Sequence, residues 1–398
     1  MRITGKRGLA AAGVLAVGAF ALVGCSPSTT TPDETAPAAD LTIGAIDLAA
    51  AGCPADIRIQ TDWNPESEHG HLYQMVGPGY TVDSEVKSVT GPLMASGEYT
   101  GVDITILSGG PAVGFAQPNA QMYTDPSIFM AYVGNDEAIA HSGDLPTVGV
   151  FAPLQKDPQM IMWDPETYPD VTGIADLGTT ESVNGGSIPI RVFGGGTYID
   201  YFVGAGVLEG DQIDATYDGL PAVFVSENGA IAQQGFASAE PYIYENEIAE
   251  WGKPVAYELI NDAGYPKYAA IMSVIPENVT EYADCLTALV PVLQQATVDF
   301  FAEPQPTIEL VLELVEAFDT GWVYSQAVAE FSVETMVADG IVGNGPSGFL
   351  GDTDPDRVQQ LFDYVVPIYT EQELPVKDGV TPADIWTDQF VDPSIARR

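Results

Sequence analysis

Apolar residues fill positions 9–23 almost without interruption, behind Arg2, Lys6 and Arg7. A charged start before a run too short to span a bilayer comfortably is the pattern of a signal peptide. Positions 26–40 turn to Thr, Pro, Ala and Ser, hold too few apolar residues for a core, and read as a flexible tether. From residue 57 a new pattern begins. Residues 57–63 alternate apolar and polar side chains, the two-residue period of a strand, and Leu72, Tyr73 and Val76 recur at helical spacing. Residues 102–107 predict a second strand that ends in Ser108-Gly109-Gly110-Pro111. Further strands are predicted over 128–133, 159–163, 188–193, 255–260 and 269–275, and Gly194-Gly195-Gly196-Thr197 follows the third of these five. The last third changes character: 281–301, 307–318, 325–342 and 356–369 carry helical periodicity. Strands alternating with helices predict an α/β protein with mainly parallel sheets. No stretch beyond 9–23 reads as a membrane span, and no internal repeat of fixed period is present.

Charge narrows the possible partners. The chain has 13 Lys+Arg against 56 Asp+Glu, a formal net charge of -43 at pH 7, and three of those cations fall within the first seven residues. Such a surface repels nucleic acid and anionic headgroups, which excludes nucleic-acid binding. The acids are spread along the chain, as on a solvated surface. Hydrophobic residues at 46% are ample for a core, and the chain is long enough for two packed lobes.

Leu22-Val23-Gly24-Cys25 resembles the lipobox of bacterial lipoproteins. The resemblance implies a signal peptide over 1–24, cleavage before Cys25, a diacylglyceryl group on that thiol and a lipidated tether over 25–52. Two acyl chains anchor a protein stably, here on the extracytoplasmic face of the cell membrane. Only Cys53 and Cys285 then remain. In an oxidising space they are expected to pair, closing a loop for which the chain-entropy model gives about 5 kcal/mol; two buried free thiols are the alternative.

Four further segments carry a second resemblance. Thr61-Asp62-Trp63-Asn64-Pro65-Glu66-Ser67-Glu68-His69-Gly70 follows the first strand. Residues 101–110 lead a strand into a small-residue loop. Gln234-Gly235-Phe236-Ala237-Ser238-Ala239-Glu240-Pro241-Tyr242 precedes Trp251-Gly252-Lys253-Pro254, and Ile385-Trp386-Thr387-Asp388-Gln389-Phe390 lies near the C-terminus. In this order they resemble the thiamine-precursor (pyrimidine) and nitrate/sulfonate type of solute-binding proteins of ABC importers. That resemblance implies a two-lobed periplasmic-binding-protein (type II) fold with two hinge crossovers. Lobe one is expected over 53–148 and 275–398, and lobe two over 149–274. It also implies a monomer that closes on a small-molecule ligand and delivers it to an ABC permease in the membrane.

The expected ligand residues lie where strands meet loops. Trp63 could stack a ring or a cation, or close a core. Asn64 offers a donor and an acceptor, and His69 either bonds a ring nitrogen or caps a helix. Ser108, Gly109 and Gly110 let a ligand approach the backbone, or simply make a tight turn. Thr197 and Tyr198 repeat that arrangement in lobe two. Glu240, beside Tyr242, would accept bonds from an amine or an aminopyrimidine, or is a solvated loop acid. Few cations remain to meet an anion, so a neutral or cationic, ring-bearing, thiamine-precursor-like solute is favoured over nitrate or a sulfonate. A surface sensor without transport is a further alternative. An enzyme reading is set aside: the related pyrimidine synthase carries a cysteine-rich iron motif, and here only Cys53 and Cys285 remain. No cofactor or metal is expected. Gly204-Ala205-Gly206 has the wrong spacing for a dinucleotide site. Asp352-Thr353-Asp354-Pro355-Asp356 lacks the glycine of a calcium loop and reads instead as a helix cap at Asp354. Glu68, His69 and His71 close no zinc pattern.

Overall fold

The structure, a computed structural model, describes residues 41–398; the expected signal peptide, Cys25 and the expected tether up to Asp40 lie outside the described residues. Its strands, in chain order, are β1 (Asp56–Gln60), β2 (Thr81–Asp83), β3 (Ser88–Ala95), β4 (Glu98–Leu107), β5 (Ile128–Val133), β6 (Val148–Phe151), β7 (Gln159–Trp163), β8 (Ile190–Arg191), β9 (Ile213–Asp214), β10 (Ala232–Phe236), β11 (Ala256–Leu259) and β12 (Ile271–Val274). They form two sheets, ordered β2-β3-β4-β1-β5-β12-β6 and β11-β7-β10-β8-β9.

The expectation of mainly parallel sheets needs correction, because both sheets are mixed. In the first, β4, β1 and β5 run parallel. Every residue of β5 is buried, as in a strand covered on both faces. The flanks are antiparallel for two local reasons. Ser96 and Gly97 both have positive φ, 46° and 83°, which forms the two-residue turn that matches strand twist and folds β3 back onto β4. On the other side β6 leads out to the second sheet and β12 returns beside it, so an outgoing and a returning strand pair antiparallel. In the second sheet β10, β8 and β9 are parallel, while β7 and β11 are antiparallel.

The two crossovers place the lobes. β6 and β12 pair within the first sheet, Met272 opposite Phe151 and Val274 opposite Val148, so 148–151 and 271–274 belong to the first sheet although the sequence assigns most of them to lobe two. Residues 41–52, expected as the end of the tether, instead pack on β4. Leu48 is fully buried, and the N–H groups of Gly44 and Leu48 donate to Tyr99 and Thr100 carbonyls, each at 2.8 Å. An apolar side chain with a β-edge to pair against has no reason to stay in solvent. Just after it, Cys53 is disulfide-bonded to Cys285, Cα–Cα 4.8 Å, tying the entry to β1 to helix Ala283–Ala302. That helix is also long and apolar enough to cross a membrane, which the sequence reading passed over; Leu286, Leu289, Leu293 and Phe300 are buried in the core. Helices Gln305–Phe318, Gln326–Ala338 and Pro355–Glu371 complete the return. The last is capped by Asp354, whose side chain accepts from the N–H groups of Asp356 and Arg357.

Candidate functional site

The site forms at the carboxyl ends of parallel strands, where the chain leaves each sheet and a crevice opens. After β1, the Thr61 N–H still donates to Leu107, 2.9 Å, and then the chain turns away: Thr61 Oγ1 donates to the Trp63 carbonyl at 2.8 Å. The loop after β4 locks onto this turn. Gly109 N–H donates to Trp63 at 2.9 Å and Gly110 N–H to Asp62 at 3.1 Å. Only glycine fits here, since a Cβ at Gly109 would lie 2.4 Å from the Thr61 carbonyl oxygen, and one at Gly110 would lie 2.8 Å from the Trp63 ring. Two loops thus hold one indole in place.

The indole opens into a cavity of about 250 Å³ between the lobes. Asp62, Trp63, Glu66, Glu68 and Trp322 line it from the first lobe. Phe193, Tyr217, Gln234, Phe236 and Glu240 line it from the second: Phe193 and Tyr217 just after β8 and β9, Gln234 and Phe236 at the end of β10, and Glu240 beyond it. The rings come in pairs: Trp63 meets Trp322 edge-on at 6.0 Å, and Phe193 meets Tyr217 at 4.8 Å. No Lys or Arg is among the lining residues. Arg191 lies against the Tyr217 ring, 5.5 Å from its centre, and donates to the Thr216 carbonyl at 2.8 Å.

Four carboxylates share this space, and burial raises three of them, Glu66, Glu68 and Glu240. Burial pushes Glu68 up to about 8, against the hydrogen bond from Ser238, with repulsion from Asp62, Asp157 and Glu240 adding to it. Glu240 is pushed up to about 7 by burial, opposed by the Phe236 N–H it accepts at 2.8 Å. Burial, then the charges of Glu68, Asp62 and Glu240, raise Glu66 well above the ordinary range. Ser238 of the second lobe donates to Glu68 of the first, so the lobes touch across the cleft.

Of the ligand residues expected from sequence, Trp63 and Glu240 line this cavity. The others stand behind its wall. Asn64 is buried and accepts from Thr320 Oγ1 at 2.8 Å. His69 is buried, with Nε2 2.9 Å from Asp62 and its ring against Tyr132. Ser108, Gly109 and Gly110 are buried beneath Trp63. Thr197 opens helix Thr197–Gly204, and Tyr198 donates to Gln234 Oε1 at 2.7 Å. Tyr242 packs on Phe331, ring centres 5.5 Å apart. Of the lining residues that were missed, Asp62, Glu66, Glu68, Gln234 and Phe236 sit inside segments already singled out, and Phe193 ends a predicted strand. Tyr217 and Trp322 carry no sequence signal. His71 is buried, bonded to Tyr132 and held down to about 3 by burial and by His69. Among the described residues no group of three or more His, Cys, Asp or Glu is arranged to hold a metal ion.

Two lobes, two crossover strands and a ring-lined cleft at the strand ends define the periplasmic-binding-protein fold. Solved structures share it. A protein from Bordetella bronchiseptica RB50 aligns with a TM-score of 0.50 at 13% identity, covering 85% of this chain and 96% of its own. The alkanesulfonate-binding protein SsuA from Xanthomonas axonopodis pv. citri, bound to MOPS, aligns with a TM-score of 0.50 at 12% identity, covering 84% of this chain and 98% of its own. At these identities the likeness is one of fold. No protein-family model matches the chain, and no curated protein matches it in sequence.

Proposed function

We propose that this chain is the lipid-anchored, extracytoplasmic solute receptor of an ABC importer. It captures a small ring-bearing solute, neutral or cationic, between its lobes and hands it to a membrane permease. The observation that carries the reading is the cleft itself: five aromatic side chains and four carboxylates around about 250 Å³, with no lysine or arginine in the lining. Rings stack a flat or cationic ligand, and the lining offers no Lys or Arg to pair with an anion. The arrangement favours this class over the nitrate and sulfonate alternative, and a thiamine-precursor aminopyrimidine remains one member of it. The action is lobe closure without chemistry. The lipobox at Cys25 supports anchoring, and a monomer suffices because both walls come from one chain.

The test is a thermal-shift screen of the purified full chain against aminopyrimidines, thiamine, nucleobases, amines, sulfonates and nitrate. A ligand at about a hundred times its dissociation constant adds about 2.7 kcal/mol of stability, enough to read. The expected result is a shift with a neutral or cationic ring compound that disappears in Trp63→Ala. A shift with nitrate or an alkyl sulfonate alone would overturn the ligand class.

A further inference from the structure

Phe115 is a side chain whose position the folding of the chain does not explain. Its backbone is left-handed, φ 62°, directly after Gly114, also at 62°. A bulky residue in that region costs free energy that a glycine would not, and it persists only where the surroundings impose it, as at ligand sites. Here the neighbouring loop imposes it. Gly110, whose N–H is locked to Asp62, accepts the Phe115 N–H at 2.9 Å, so the loop that fixes the Trp63 indole also fixes the Phe115 backbone. The ring adds little to the core. Phe115 is 65% exposed, and its ring leans on Trp63, centres 5.9 Å apart and tilted by 45°. Trp63 lines the cavity, so Phe115 stands beside the cavity rather than within it. Two more exposed apolar side chains adjoin lining residues: Leu220 follows Gly219 in the second lobe, and Val323 follows Trp322 in the first. The interior they adjoin, about 250 Å³, lies at the small end for a ligand site.

We infer, on the receptor reading above, that the solute has two parts: a ring-bearing head that fills the cavity, and a second flat, apolar part that leaves it past Trp63 and lies against Phe115. The Trp63 ring belongs both to the cavity wall and to the Phe115 contact, so the outer surface continues the binding wall, and the solute itself is the occupant it fits. Phe115 is then a specificity-determining residue, favouring solutes long enough to reach it. Its contact with the solute gives the exposed ring and the left-handed backbone a use that the unliganded fold does not supply.

Calorimetric titration of the full chain with benzylamine and 4-phenylbenzylamine, in the parent, Phe115→Gly and Phe115→Tyr, tests this. The two amines share one ring-bearing head and differ by an outer ring. The parent is expected to bind the two-ring amine roughly tenfold more tightly, the factor one well-placed aromatic pair supplies. In Phe115→Gly that advantage is expected to shrink to about twofold with benzylamine's own affinity little changed, while Phe115→Tyr, which keeps the ring, retains it. Unliganded Phe115→Gly is expected to melt close to the parent, because the lost ring is exposed and glycine adopts a left-handed backbone freely. Equal affinity of the parent for the two amines, or an advantage that survives in Phe115→Gly, overturns the inference and leaves the receptor reading standing on the binding of benzylamine. Silence from both amines also overturns it, and the wider solute screen then judges the receptor reading separately.

Discussion

In a Glu240→Gln protein the cleft keeps its shape and the oxygen that accepts the Phe236 N–H, but loses one charge. Burial holds this carboxyl at about 7, against 4.5 for the free side chain. Ionising it in the folded protein therefore costs about 3 kcal/mol, and partial solvent access to the cleft brings that to about 2 kcal/mol. The folded protein keeps a proton that the unfolded chain releases above pH 4.5, so this group makes stability fall as pH rises from 4.5 to about 7. The variant is expected to be about 2 kcal/mol more stable than the parent at pH 8 and within about 1 kcal/mol of it at pH 5. Urea unfolding at both pH values, followed by the fluorescence of the 5 tryptophans, reads the difference. Equal destabilisation of the variant at both pH values would refute the reasoning, because it would mean that Glu240 is ionised and structurally paired. A variant that is more stable and binds worse is the usual relation between a strained site and its fold.

Other substitutions probe the frame around the cleft. Gly109→Ala forces a Cβ to within 2.4 Å of the Thr61 carbonyl oxygen, and a loss of about 1–3 kcal/mol is expected in chemical denaturation together with weakened ligand binding. Thiol titration of the unfolded, unreduced chain should find neither Cys53 nor Cys285 reactive, and Cys53→Ser should lower stability by about 2–4 kcal/mol. Lys267 is half-buried near Asp136 at 3.5 Å and Asp157 at 3.4 Å; desolvation lowers its pKa, and both carboxylates more than offset that. Lys267→Met strands those carboxylates, so a thermal melt at neutral pH should show a loss of about 3–5 kcal/mol.

Much of the scaffold was legible from periodicity. Residues 128–133 and 159–163 coincide with β5 and β7, both fully buried and free of glycine and proline, and the four long helices fall within a few residues of their predicted bounds. The hairpin of β2 and β3 was not legible. Gly91 and Pro92 interrupt its pattern, and the fold absorbs the proline with a register shift between Pro92 and Met94. The strand predicted over 57–63 stops at Gln60, because the Thr61 side chain turns back onto Trp63 and ends the ladder. In the site, Trp63 and Glu240 were legible because a ring at a strand end and an acid in a loop stand out from their surroundings. Tyr217 and Trp322 sit in connections without any period and enter the cleft only through the tertiary fold. The glycines after β4 were read as letting a ligand approach the backbone or as a tight turn. Their reason is the close approach of two backbones under Trp63, which no single-chain pattern distinguishes from close approach of a ligand.

The most direct test of capture between two lobes is hydrogen exchange of the full chain with and without a solute that scores in the thermal-shift screen. Binding in the cleft should protect 61–69 in the first lobe and 232–242 in the second, at the same solute concentration, with the protection lost from both in Trp63→Ala. Protection of one segment without the other, or of a surface remote from both, would contradict a ligand held between the lobes.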